Sequence, residues 1–310
     1  MRLAAVVLLA AGLAAACSSN SEPHGSPVLL SAFWLSAGAK TQIFTVTDQS
    51  LPPVGVSAAG QEIDFVFDRL LDGNKIEDTV TMNGVQTTVP KAMPPITVTW
   101  PDAATVMSTP PFAAQVLYNS EPFYGAYTSY VLLKPLAVGF PSMDTITFTL
   151  DKTGLTSAYG DQMIGPSQLS VTTAAFSASF RLPTGMDGGA MAVPANYMLP
   201  VLFSNRVAGP SAVASFIQVS ASGAGLPFAL SPDATDATVI YLSPASCLGG
   251  WPSDVPITVT VAAGAPDAFG VPMAAAATTT FTASAGTSTP DGGCGPTGPV
   301  DAATVDGARD

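Results

Sequence analysis

Charge is scarce in this sequence. Asp, Glu, Lys and Arg together make up 10% of 310 residues, against about 25% in an average soluble domain. That scarcity excludes a long solvated coiled coil and a highly charged disordered chain. Ten basic residues face 22 acidic ones, for a formal net charge of −12. The basic residues are spread singly, which argues against a nucleic-acid partner. Histidine is nearly absent, and the one present, His24, lies in a short polar stretch near the amino terminus. A Ser-His-Asp triad needs its imidazole packed beside the nucleophile. No Gly-x-Ser-x-Gly or Walker motif occurs, no dinucleotide fingerprint stands between a strand and a helix, and no zinc-ligand spacing is present. The expectation is a protein that is not an enzyme and carries no cofactor. A hydrolase with an unrecognised carboxylate pair stays open, since 22 acids are available, but nothing singles out two of them. Gly and Pro, at 28 each, make the chain loop-rich without reaching the share of about 25–30% that marks disorder.

The first residues read as an address. Arg2 is a minimal positive region, Leu3 to Leu13 is an apolar run, and Ala14-Ala15-Ala16 supplies the small residues of a cleavage site. The run is shorter than the roughly 20 residues that span a bilayer. Cys17 follows the small triplet directly. This arrangement resembles the lipobox of bacterial lipoproteins, although Leu13 stands four residues before the Cys, where that pattern has Leu at three. The resemblance implies a signal peptide over residues 1–16 and lipidation of Cys17 as the mature amino terminus. The alternative is an ordinary secretory signal with Cys17 incidental. Two acyl chains suffice for stable anchoring, and residues 17–27, small, polar and Pro/Gly-containing, suit a flexible tether. The expected location is extracytoplasmic and membrane-anchored, at the outer membrane or cell surface.

Beyond residue 27 the dominant pattern is period-two alternation in runs rich in Thr, Val, Ile and Phe. Ile63–Phe67, Ile96–Trp100, Thr145–Leu150, Ile257–Val261 and Thr278–Thr282 each offer one face to a core and the other to water. Thr is β-branched and suits a pleated surface. The reading is all-β. The chain also repeats itself in order. Phe65–Arg69 parallels Val201–Asn205, Tyr130–Pro135 parallels Val239–Pro244, Ile146–Thr149 parallels Ile257–Thr260, and Ala158–Met163 parallels Ala268–Met273. The last three keep offsets of 109 to 111 residues and the first an offset of 136. The first copy is therefore longer, with its surplus between the first and second matched strands.

These residues resemble the bacterial Ig-like modules of S-layer and other surface proteins, which end in a hairpin turn of the type Asp-x-x-Gly-Asn-x-Leu. Here that turn reads Asp267–Met273 in the second copy and Ser157–Met163 in the first, where Ser replaces Asp. The resemblance implies two tandem Ig-like β-sandwich domains, residues 28–175 and 176–285, exposed at a surface and without catalytic residues to transfer. Residues 286–310, dominated by Gly, Pro, Asp and Thr, are expected to form a disordered tail.

Three groups of side chains are candidates for chemistry or contact. Cys247 and Cys294 would form a disulfide by default outside the cytoplasm, with free or intermolecular thiols as the alternative. Asp64, Asp68, Asp72, Glu77 and Asp78 cluster as calcium ligands do, but without EF-hand spacing, and a solvated acidic face is the favoured reading; no metal is assigned. Tyr118, Phe123, Tyr124, Tyr127 and Tyr130 concentrate rings in one stretch. They form either a contact surface for an envelope protein or glycan or the cover of an open sheet edge. The function expected is a structural or adhesive role at the cell envelope, with a carbohydrate-binding accessory role as the alternative.

Overall fold

The computed structural model describes residues 24–36, 39–47, 55–60, 62–91, 93–101, 112–118, 127–135, 139–183, 192–284 and 299–300. The signal stretch, Cys17, Phe123, Tyr124 and Cys294 lie outside the described residues.

Ten strands come first: β1 Leu29–Ser36, β2 Ala39–Thr45, β3 Glu62–Phe67, β4 Glu77–Met82, β5 Val85–Pro90, β6 Ile96–Thr99, β7 Phe112–Tyr118, β8 Ser129–Pro135, β9 Thr145–Leu150 and β10 Gln168–Thr172. Nine follow: β11 Ala178–Phe180, β12 Leu199–Phe203, β13 Ile217–Ala221, β14 Ala224–Gly225, β15 Phe228–Pro232, β16 Val239–Pro244, β17 Pro256–Val261, β18 Ala277–Thr282 and β19 Pro299–Val300. They form sheets of order β2-β1-β3-β8-β7 and β10-β9-β6, then β11-β12-β16-β15-β19 and β14-β13-β17-β18, with β4-β5 a separate hairpin. The fold is all-β and sandwich-like. One core joins the first two sheets, with Trp34, Phe65, Phe140 and Phe148 at its centre, and a second joins the next two around Leu199, Leu242, Trp251 and Val259.

The alternation explains the layering. In β9, Ile146, Phe148 and Leu150 are buried while Thr145, Thr147 and Thr149 point away, and β17 repeats this with Ile257, Val259 and Val261. On the outer faces the hydroxyls pair across strands: Thr147 with Ser170 at 3.1 Å, Thr258 with Thr280 at 3.2 Å and Thr260 with Thr278 at 3.1 Å. The surplus of the first copy contains the exposed β4-β5 hairpin, closed by Asn83-Gly84 at φ 53° and 80°. Those are the left-handed values a two-residue type I′ turn requires.

The repeat extends to register and hydrogen bonding. Val66 faces Tyr130 as Leu202 faces Val239, and Ile96 faces Leu150 as Ile217 faces Val261. At strand entry, Val28 N–H donates to Asp68 Oδ1 and Ser177 N–H to Ser204 Oγ. In the turns, Ser157 Oγ accepts from Tyr159 and Asp161 N–H, and Asp267 Oδ1 accepts from Phe269 and Val271 N–H. Gly160 and Gly270 hold φ of 91° and 85° there, a conformation side chains resist.

Two features differ from the sequence reading. Within the stretch expected to be a tail, Pro299–Val300 pair in parallel with Phe228 and Ala229, so at that point the chain is tied to a sheet edge. Strand β3 is buried on both faces: Val66 is 0% and Asp64 5% exposed, although alternation alone sends both to water. Val66, Tyr130 and Leu132, with Phe33 and Leu117, make a second apolar cluster on the outer face of that sheet.

Candidate functional site

Of the aromatic stretch, the side chains of Tyr127 and Tyr130 are among the described ones. Tyr130 is 2% exposed, because period two places it on the face shared by Val66 and Leu132. Tyr127 is half-buried. Tyr118 ends β7 opposite Ser129. Tyr130 is thus removed from the candidate contact set. The His24 ring packs against Tyr159 at a tilt of 32°, ring centroids 3.9 Å apart. Cys247, at a short turn over Ser246–Leu248, is disulfide-bonded; Cys17 and Cys294, the other two cysteines, lie outside the described residues.

Each member of the acidic cluster has a local task. Asp68 takes the Val28 N–H and pairs with Arg69 at 3.0 Å. Asp72 caps a helical turn through Asn74 N–H, Glu77 accepts from Val116 N–H, and Asp78 pairs with Lys91. Among the described residues no group of three metal-ligating side chains is assembled. Asp64 is the exception in energy. It sits between Phe33 and Leu132 across the ladder, with Lys40 Nζ 3.3 Å from Oδ2. Among the described residues its Oδ1 has no hydrogen-bond partner. Burial pushes its carboxyl up to about 6, Lys40 opposing and Glu62 adding to the rise.

A buried polar network lies where the two sheet pairs meet. The Asp267–Met273 turn of the second pair enters the core of the first: Phe269 belongs to that core, edge-on to Trp100 at 5.9 Å, with Ala268 and Val271 packed beside it. Apolar entry alone would permit sliding. The carboxylate of Asp267 fixes the position, because Oδ1 closes its own turn while Oδ2 accepts from Ser142 N–H at 3.1 Å and Asn205 Nδ2 at 3.0 Å. Asn205, 0% exposed, also reaches Phe140 O at 2.9 Å and Ser142 Oγ at 3.0 Å, while its Oδ1 accepts from Arg206 N–H. A buried charge is tolerated when its oxygens are so satisfied. Sequence reading assigned Asp267 to turn chemistry alone and gave Asn205 no role.

A groove of about 560 Å³ opens beside this joint, lined by Ser36, Ser57 and Ala59 on one side and by Ser204, Arg206 and Asp236 among others on the opposite side. The joint holds Arg206 by both backbone groups, its N–H on Asn205 Oδ1 and its carbonyl accepting from Ala268 N–H. The same wall is tied by Asp233, which accepts from Thr235 and Asp236 N–H and from Tyr241 O–H. The Thr235 backbone N–H, its hydroxyl and the other donors hold the Asp233 carboxyl down to about 2, and the Asp233 bond in turn raises the Tyr241 hydroxyl. Hydroxyls, one guanidinium and one carboxylate suit a small polar ligand. They do not form a nucleophile and base.

Compared with known proteins, the chain matches no family model, and no curated protein is similar to it in sequence.

Proposed function

We propose that this chain is a non-catalytic, membrane-anchored extracytoplasmic lipoprotein. In this reading its two modules, residues 28–175 and 176–285, are Ig-like domains that act as a stiff support with a structural or adhesive role at the cell envelope. The observation that carries the reading is the buried joint of Asp267, Asn205 and Ser142. A linker between independently acting domains is ordinarily exposed and crossed by few contacts, whereas here a turn of one unit completes the core of the other. Rigidity of that kind serves position rather than turnover. The anchor rests on the signal-like run and Cys17. A second reading, binding of a glycan, draws support from the hydroxyl-lined groove beside the joint.

Two measurements test the proposal together. Labelled fatty acid should enter the chain and be lost in Cys17→Ser. Limited proteolysis should spare residues 173–177 between the units, and should cut there once Asp267→Ala opens the joint. Absence of label defeats the anchor, and ready cleavage of the unaltered chain defeats the stiff support. A glycan array that retains the chain, with retention lost in Arg206→Gln, would favour the second reading.

A further inference from the structure

The joint inside the chain has two halves, and the repeat supplies one more copy of each half at the ends. The turn half consists of Asp267, Ala268, Phe269 and Asn205, and its counterparts in the first unit are Ser157, Ala158, Tyr159 and Arg69. The equivalence is fixed by matching bonds: Ala268 N–H donates to Arg206 O as Ala158 N–H donates to Leu70 O. The receiving half consists of Phe140, Ser142 and Met143, and its counterparts in the second unit are Trp251, Ser253 and Asp254. Phe140 N–H donates to Ala58 O as Trp251 N–H donates to Ala195 O, and Met143 and Asp254 both hold positive φ, 55° and 58°. Used internally, Ser142 is 2% exposed. Its counterpart Ser253 and the neighbouring Asp254 are exposed.

The halves at the two ends are not copies of the buried ones, and their differences are complementary. Arg69 stands where the joint has Asn205, and Asp254 stands where it has Met143. Arg69 pairs with Asp68, yet among the described residues its buried Nε has no hydrogen-bond partner. Around it Tyr159 is 51% and Ile164 54% exposed, large apolar groups at one end. Residues 24–28 run along this end as the linker runs into the second unit, His24 on Tyr159 and Val28 beside Ile164. They leave Ala158 to Gln162 exposed.

We propose that a second copy of this chain docks head to tail, its Arg69–Ser157–Tyr159 end on the Ser253–Asp254 end of the first. The Arg69 guanidinium would meet the Asp254 carboxylate, and Tyr159 would take the place Phe269 has in the joint. The inference rests on the repeat and not on lipid anchoring. The contact is weaker than the internal joint for a stated reason. Asp267 has a second oxygen to send across, while the Ser157 hydroxyl is committed to its own turn. The contact is heterologous, so it does not close at two copies and extends into rows. Copies held on one surface would meet at high effective concentration.

Sedimentation equilibrium of the full-length chain in density-matched detergent tests this. Association should appear with rising concentration and weaken with salt. Asp254→Arg and Arg69→Glu should each raise the dissociation constant by about tenfold or more, and the double variant should recover most of the loss. Should Arg69→Glu fail to fold, the exposed Asp254→Asn alone must still weaken association. A chain that stays monomeric, or associates equally well in the charge variants, overturns the proposal. So does a double variant that recovers nothing.

Discussion

Replacing Asp64 with asparagine removes a charge that the fold works against. The side chain is 7% exposed, flanked across the ladder by Phe33 and Leu132, and held by one ion pair to Lys40. Burial lifts its carboxyl from an ordinary 3.8 to about 6. A rise of roughly two units, at about 1.4 kcal/mol each, means that ionisation costs the folded state about 3 kcal/mol at neutral pH. The sign follows from the direction. A folded value above the unfolded one favours the protonated form, so the group's contribution is fully present below about 4 and is lost as pH rises through about 6. Asp64→Asn keeps the shape and removes this penalty, but it also breaks the pair with Lys40. The expected gain is therefore about 1–2 kcal/mol at pH 8 and nothing, or a small loss, at pH 4. Urea unfolding of both proteins at half-unit steps from pH 4 to 8 reads it directly, the two curves of stability against pH diverging between about 4 and 6. Parallel curves, or a variant weaker at pH 8 than at pH 4, would refute the reasoning.

Asp267→Ala leaves the Asn205 amide and the Ser142 N–H without their shared acceptor; a loss of about 3–5 kcal/mol is expected, and calorimetry should resolve one unfolding transition into two. Tyr130→Ala, at a site 2% exposed, should cost about 3 kcal/mol in urea unfolding; a melting temperature unchanged from the parent would return this ring to the surface. Gly270→Ala meets no atom within 4 Å, so only the backbone at φ 85° resists. About 1 kcal/mol is expected in thermal unfolding, and a much larger value would mean that the turn packs more tightly than its open surroundings indicate.

Strands such as β9 and β17 were legible because one face meets a core and the other meets water, which writes Ile, Val and Phe against Thr in strict alternation. Strand β3 was legible as a strand, but the cover over its second face was not. There Asp64 occupies an outer-face position that is buried, and alternation carries no mark of what lies over a face. The repeat was visible in four short matches, and the strand registers keep the same offsets. Asn83-Gly84 is a hairpin signal carried by the sequence alone. The joint was readable only in part. The difference between Ser157 and Asp267 stands in the sequence, but its meaning depends on Ser142, 125 residues away, and on an asparagine with no local pattern. For Tyr130 the sequence left a contact surface and a sheet cover open, and its burial on the face of Val66 and Leu132 depends on strand register, because neighbours in a strand point to opposite faces.

The paired hydroxyls on the outer faces of β9, β10, β17 and β18 have a consequence for the protein's behaviour in its medium. With so few ionised groups, much of the wetting of these faces falls to neutral hydroxyls that already bond to one another in rows. Neutral dipoles are indifferent to screening, and they do not titrate between pH 4 and 9. The hydration of these sheets should therefore hold nearly constant from dilute water to brine. Acidity is then felt inside the fold at a carboxyl such as Asp64, and salt at the exposed ion pairs, not along these hydroxyl rows.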